Sequence, residues 1–382
     1  MDRRQYLAAF AAAVSGGCAA PGTTGGSDES TTANAAEYPM PDDLPVPETE
    51  LERGALRDAI PAITDPAFGA DWSGVAVEVR NEFGEYAATP RLADGDRVVG
   101  VERDGRARAY PLRVLVWHEV VNDAFGGPLL VTYCPLCGSS LVAKRLVRGE
   151  ETVFGVSGQL WWSNLVLYDR ATDSLWSQLA ATAIRGPVTG DWLTLVPSTL
   201  TTWADWRDRH PDTEVLRPPP ESGSVVGRER AVRDYTFDPY GAYRTNDRVG
   251  LGGTFAGDLH PKTQVLGIAA NGRARAYPFP AVERAGVVND AVGGLPVVVA
   301  VTPDGTLVGY DRRVGGEPLR FERDGDATMR GGGSRWALST GRAVDGPHRG
   351  TELASATDAP PLFWFAWRKF HPWTDLYDES RS

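Results

Sequence analysis

The sequence predicts a strand-rich α+β protein of two tandem homologous domains, the second degenerate, and it argues against a thioredoxin fold. Three observations carry this reading. First, the chain of 382 residues repeats itself. "VVGVERDGRARAYPLRVLVWHEVVNDAFGGPLLV" begins at Val98, and "VLGIAANGRARAYPFPAVERAGVVNDAVGGLPVVV" begins at Val265, an offset of 167. "WRDRHPDTEVL" from Trp206 returns as "WRKFHPWTDLY" from Trp367. Each copy has ordinary domain size. Second, short β-type runs bounded by turn residues dominate, with no regular strand–helix–strand alternation. Third, the only Cys-x-x-Cys, Cys134 and Cys137, is followed by Gly138, Ser139, Ser140 and the β-like "LVAKRLV". A thioredoxin-type pair sits at a helix N-terminus within a βαβ unit, and neither is legible here.

In chain order, residues 1–18 read as a twin-arginine export signal. Arg3 and Arg4 precede an apolar run from Leu7 to Val14, then small residues and Cys18. That run is far short of the roughly 20 residues a membrane span needs. Ser15, Gly16 and Gly17 form a lipobox-like approach to Cys18, with Ser15 where leucine is usual. Cys18 is therefore the expected lipidation site. The membrane becomes a partner through this N-terminal anchor, and the protein is expected to be extracytoplasmic, on the outer face of the cell membrane. Residues 19–50 are rich in small residues, Pro and acids and read as a disordered stalk. Residues 51–217 form the first domain, 218–260 a Pro/Gly-rich and polar joint, and 261–382 the second repeat, which lacks cysteine. The net charge is −11, and three lysines stand beside 36 arginines. This balance resembles the proteome of a salt-loving archaeon and argues against nucleic acid as a partner.

Local structure can be read from either copy. Asp104-Gly105 and Asn271-Gly272 are expected to be tight hairpin turns. Pro111 opens a helical pattern from Leu112 to about Val121, closed by Gly126-Gly127. "PLLVTY" is a buried strand running into Cys134, and "ETVFGV" and "NLVLYD" are further strands. "TLTTWADWRDRHP" reads as a helix opened by Ser198 and stopped by Pro211.

The repeat also separates folding from function. Asn122 and Asp123 match Asn289 and Asp290, and His210 matches His371. Residues kept in both copies are read as structural groups at turns or helix ends, where a histidine suits the helix dipole. A different set is lost together. At the offset of 167, Cys134 and Cys137 align with Val301 and Asp304, and His118 and Glu119 with Ala285 and Gly286. "GQLWWSN", Gly158 to Asn164, has no evident counterpart. The joint loss points to one site in the first domain. Cys134 and Cys137 are its expected reactive pair, with His118 as acid–base partner. Glu119, Trp161, Trp162, Asn164, Tyr168, Asp169 and Gln178 are expected to bind a ligand or wall its pocket. The plainer alternatives are a core histidine at 118 and an ordinary strand at "NLVLYD" with Trp176 in the core.

Three chemistries fit these residues. The first is thiol–disulfide redox without a cofactor, serving an unidentified redox partner or small molecule. The second is zinc or copper held by Cys134, Cys137 and His118, with a fourth position open or filled by Glu119 or Asp169. The third is a non-catalytic surface scaffold with an inert disulfide, although so small a loop adds little stability.

"GVERDGRARAYPLRVLVWHEVVNDAFGGPLLVTYCPLCGSSLV", "FGVSG", "SNLVLYDRATDSLWSQ" and the Trp…Arg-His-Pro element together resemble domain-of-unknown-function family 3179. The resemblance covers Glu52 to about Leu216, and the second copy continues it weakly. The family brings no established activity. Some members place selenocysteine in the Cys-x-x-Cys segment, which implies redox chemistry at Cys134 and Cys137.

Overall fold

The hairpin of Arg97–Arg103 and Arg106–Pro111 sets the pattern for the molecule. It turns at Asp104 and Gly105, both at positive φ (52° and 69°), the two-residue geometry that matches strand twist. The sister hairpin, Gln264–Ala270 with Arg273–Pro278, turns the same way at Asn271 and Gly272. The computed structural model describes residues 44–81 and 84–378. It is 42% strand and 12% helix, so the chain is a strand-rich α+β protein. The expected signal, Cys18 and most of the stalk lie outside the described residues. The stalk's last residues do not read as loose chain. Val46 is fully buried and donates its N–H to Ile184 at 2.9 Å, because this one apolar side chain finds a core to enter.

Each hairpin feeds a seven-residue helix, Leu112–His118 or Phe279–Ala285, with Pro111 or Pro278 at its N-cap. The first helix ends at His118, short of the expected Val121. Glu119 is left-handed (φ 57°), and Val120–Asp123 is already a strand. Gly126 and Gly127 thus turn a hairpin and do not end a helix. Leu129–Cys134, buried along its whole length, pairs with Val120–Asp123 on one side and Ser139–Lys144 on the other. Asn122 and Asp123 are strand residues, not the turn groups expected. Asp123 accepts from Arg108 and Tyr110 at 2.8 and 2.6 Å, and Asp290 accepts from Arg275 and Tyr277 at 2.6 and 2.9 Å. Asn122 clamps the backbone of Phe154 in both directions, and Asn289 does the same to Phe321.

Those clamps lead into a third layer where the copies diverge. In the first, Phe154–Trp161 and Asn164–Asp169 form a long antiparallel hairpin. In the second, Glu322–Arg323 and Thr328–Gly331 form only a short one. The tip that carries Gly158 to Asn164 has been dropped.

Each copy closes with a strand and a helix: Thr199–Thr202 with Trp203–Arg209, and Leu362–Phe363 with Trp364–Phe370. Thr202, not Ser198, caps the first of these helices, accepting from Asp205 N–H at 3.3 Å. Trp206 lies flat against Gly100 and Trp367 against Gly267, where a Cβ would come within 2.3 and 2.2 Å of the indole. His210 lies tilted over Trp206 at 4.1 Å and His371 stacks on Trp367 at 3.7 Å.

The copies fasten to each other reciprocally. The turn after Cys134 accepts the Phe363 N–H on the Cys137 carbonyl at 2.9 Å. The sister turn offers the Asp304 carboxylate to Thr201 Oγ1 and Thr202 N–H at 2.9 and 3.2 Å. Each turn thus meets the start of the other copy's closing helix, the i-to-j and j-to-i pattern of a two-fold interface. The core that contains both cysteines continues into Phe363, Trp364, Phe365, Trp367 and Phe370.

Candidate functional site: a buried thiol turn

The pairing registers locate the turn within the repeat. Val121 faces Val131 in the first copy, and its sister Val288 faces Val299 in the second. The offset therefore grows from 167 to 168 along that strand, because "GGLP" holds one residue more than "GGP". Thr302, not Val301, stands in the place of Cys134. Pro135 then matches Pro303, and Gly138 matches Gly305; both glycines have positive φ (61° and 76°). The second turn is one residue shorter and holds Asp304 where the first holds Leu136 and Cys137.

Cys134 and Cys137 are 1% and 0% exposed, unbridged, and 3.6 Å apart, well beyond the ~2.05 Å of a disulfide. The Cys137 N–H donates to the Cys134 carbonyl at 3.2 Å, which closes the turn. The two thiols are polarised in opposite directions. Burial pushes the Cys134 thiol up, but the Cys137 thiol and nearby backbone amides outweigh it and hold Cys134 below the ordinary thiol range. Burial and the neighbouring Cys134 push Cys137 well above that range. The Cys137 thiol donates to the Ser163 carbonyl at 3.2 Å and faces Asn164 Nδ2 at 3.7 Å.

That carbonyl is presented by the tip of the long hairpin. Trp162 and Ser163 are its two turn residues, both at positive φ (53° and 66°) without being glycine. Such positions cost of order 1–3 kcal/mol each and collect at functional sites. Behind the tip, Asn164 and Gln178 form a closed amide network. Asn164 Nδ2 donates to Gln178 Oε1 at 2.9 Å, and Asn164 Oδ1 accepts from Leu179 N–H at 3.0 Å. Gln178 also accepts from Ser139 Oγ at 3.1 Å and donates to Thr132 Oγ1 at 3.2 Å. Every atom of both buried amides is engaged, which fixes the floor beneath Cys137.

Other chain segments cover the turn. Lys369, from the second copy's closing helix, donates to Ser163 Oγ at 3.1 Å and is drawn electrostatically to Cys137. The 218–260 segment supplies Tyr243, whose hydroxyl donates to the Leu136 carbonyl at 2.9 Å. Lys262 lies 4.0 Å from the Tyr243 ring centre. Part of the expected joint thus packs against the thiol turn.

Of the residues singled out from sequence, Cys134, Cys137, Asn164 and Gln178 come together. Glu119 joins them from the other side. Burial, with the charge at Cys134, pushes its carboxyl well above the ordinary glutamate range. No hydrogen bond satisfies that carboxyl among the described residues. Its left-handed backbone is the position that Gly286 (φ 71°) fills in the second copy, so a carboxyl is held where glycine is the natural occupant.

The remaining expected residues are placed elsewhere. His118 is fully buried, with Nδ1 2.8 Å from the Pro61 carbonyl and Nε2 2.8 Å from the Tyr235 hydroxyl. The carbonyl requires a proton on Nδ1, so Nε2 accepts from tyrosine. Burial lowers the ring's pKa to about 3. Neither nitrogen is free for a sulfur or a metal, which removes the expected acid–base partner and third metal ligand. Among the described residues, no three of His, Cys, Asp and Glu converge as a ligand group. Trp161 and Trp162 stack at 4.1 Å and pack edge-on to Phe370, joining the copies. Tyr168 donates to Asp58 under the Arg57 guanidinium. Asp169 closes the turn at Thr172 and accepts from Trp176 Nε1 at 2.9 Å. Both lie at the end of the Asn164–Asp169 strand away from Asn164, and their hydrogen-bond partners are not the thiols.

Sequence reading passed over Thr132, Ser139, Ser163 and Lys369. Lysine scarcity was the available signal for the last. In a chain with 36 arginines, two of the three lysines, Lys262 and Lys369, pack around this turn.

No curated protein and no solved structure matches the chain. The family profile described as "Protein of unknown function (DUF3179)" matches residues 57–374. The match runs through both copies, beyond the Leu216 limit read from the motifs alone. The chain belongs to the DUF3179 family.

Proposed function

We propose that Cys134 and Cys137 are a thiol–disulfide redox pair acting on a small molecule. The observation that supports this reading best is the pair itself: two free, oppositely polarised thiols 3.6 Å apart, in a turn whose shorter sister occupies the same place in the repeat without sulfur. Cys134 is the nucleophile, because its thiolate is the favoured one. In exchange with a small disulfide, the Cys134 thiolate attacks one sulfur and the other leaves as a thiolate. Cys137 then gives up its proton and attacks the Cys134 sulfur, releasing the second thiol. The pair loses two electrons and two protons, and the small disulfide becomes two thiols. Glu119, whose carboxyl burial and Cys134 push well above the ordinary glutamate range, is the proton carrier beside Cys134, and Lys369 favours negative charge at Cys137. Burial of both sulfurs favours a small partner over a protein disulfide.

The test equilibrates the folded protein in graded dithiothreitol redox buffers and counts free thiols, with metal content measured on the same sample. One reversible two-electron transition, lost in Cys134→Thr, is expected. Thiols that stay free in every buffer, or stoichiometric zinc or copper that blocks both, would sink the redox reading.

The N-terminal reading belongs to the same proposal. Arg3, Arg4 and the apolar run support export, and Cys18 supports a lipid anchor on the outer face of the membrane. No helix among the described residues is long and apolar enough to cross a membrane. Cys18→Ala is expected to release the protein from the membrane fraction; retention there would refute the anchor.

A further inference from the structure

We infer that the cleft beside the thiol turn binds a small organic carboxylate. A cavity of about 490 Å³ lies where the first copy, the 218–260 segment and the second copy meet, a size ordinary for a small-molecule site. Tyr133 and Gly138, which flank the two cysteines, form part of its wall. Arg97, Arg113 and Arg244 line it as well. Two of these hold carboxylate partners. Arg113 pairs with Asp96 at 2.7 Å, and Arg244 pairs with Asp238. Arg97 is different. Its hydrogen bond goes to the Leu200 carbonyl at 3.2 Å, and no carboxylate among the described residues lies within ion-pair distance. Asp205 and Asp304 act on it only from farther away. Each is engaged elsewhere, Asp205 by Arg209 and Asp304 by Thr201, Thr202 and Thr306.

A half-buried guanidinium has five N–H donors, and among the described residues Arg97 spends one of them, on the Leu200 carbonyl. Three arginines against two aspartates leave one positive charge in the cleft. That balance suits a monoanion better than a dianionic phosphate. The guanidinium fork matches the two oxygens of a carboxylate. Leu112, Val116, Leu200 and Phe363 supply an apolar wall for a short hydrocarbon body. None of this depends on whether the thiols turn over.

Calorimetric titration of the full folded chain at low chloride tests the site, using hexanoate, hexanol and inorganic phosphate as probes. Hexanoate is expected to bind, with hexanol at least tenfold weaker. Arg97→Gln should weaken hexanoate at least tenfold, and Arg97→Lys should recover part of the loss. Binding should persist in Cys134→Thr, which separates this site from the redox reading. Folding of each variant is checked by circular dichroism; if Arg97→Gln does not fold, the hexanoate-to-hexanol ratio in the native protein decides. Absence of hexanoate binding, equal binding by a folded Arg97→Gln, or tighter binding of phosphate would overturn the inference.

Discussion

The turns at Cys134–Gly138 and Thr302–Gly305 descend from one pattern and serve two ends. Both follow a buried strand, both carry proline second, and both end on a positive-φ glycine. The second is a fastener. Thr302 and Thr306 hold the Asp304 carboxylate, and that carboxylate ties the other copy's Thr201 and Thr202. The first fastens only through backbone, by way of the Cys137 carbonyl and Phe363, which leaves its side chains for the thiol pair. Around it stand groups that cost stability: Glu119 where the sister has Gly286, and Trp162 and Ser163 at positive φ in a hairpin tip the sister lacks. Strain and uncompensated burial therefore collect on one side of a repeated scaffold, the usual mark of a site kept for chemistry.

This contrast can be broken experimentally. The largest effect is expected from Cys134→Thr, which installs the sister residue. Thiol exchange should fall by on the order of 10³-fold or more, since the nucleophile itself is lost. The melting temperature should move by only a few degrees; wholesale unfolding would mean the sulfur is structural. Next comes acid titration. The folded-state pKa of His118 is depressed from 6.5 to about 3. Its contribution to stability is present above pH 6.5 and is lost as pH falls towards 3, at about 1.4 kcal/mol per unit. Denaturant melts across that window should show a flatter acid limb for His118→Gln, with thiol reactivity at neutral pH unchanged. A change in thiol rate would restore an acid–base role to His118.

Asn164→Ala ranks third. It strands Gln178 and the Leu179 N–H, and about 1–3 kcal/mol of destabilisation is expected, alongside faster alkylation of Cys137 as its cover loosens. Equal melts for variant and wild type would show that water replaces the amide. The smallest effect is a gain. Glu119→Gly installs the sister residue and relieves the left-handed backbone, worth about 1 kcal/mol. The raised pKa of Glu119 means that its own contribution is lost as pH rises from the ordinary glutamate range through the raised value. The stability advantage of Glu119→Gly should therefore widen with pH, while the pH profile of thiol exchange loses one ionisation. An unchanged profile would show that Glu119 carries no proton for the pair.

Much of the architecture was legible because local chemistry and tertiary packing agree. Asp-Gly and Asn-Gly turned the hairpins as expected, and the prolines at 111 and 278 opened the helices. The failures share a cause. The sequence pattern carries the first helix on to Val121 because a left-handed Glu119 has no sequence signature, whereas a glycine such as Gly286 announces the break. Thr202 displaced Ser198 as a cap because Thr199–Thr202 is claimed by Arg97–Arg103 as a pairing partner. At the site, Asn164 and Gln178 were found because they are close in sequence to the divergent hairpin. Phe363 and Lys369 escape a sequence reading because they arrive from 226 and 232 residues downstream of Cys137, contacts that no local pattern encodes. His118 vanished from the second copy along with the cysteines, yet its partners are Pro61 and Tyr235. Co-occurrence of losses grouped residues by copy, not by contact.

The reciprocal docking of each turn on the other copy's closing helix carries a consequence for stoichiometry. Two separate single-copy chains meeting through this surface would build two thiol turns and would need concentration to stay together. Joined in one chain, the partner's effective concentration is set by the tether and not by expression level. One of the two turns is then free to specialise as a latch. The assembly holds one thiol turn per pair of scaffolds, and that turn cannot be diluted away from the half that covers it.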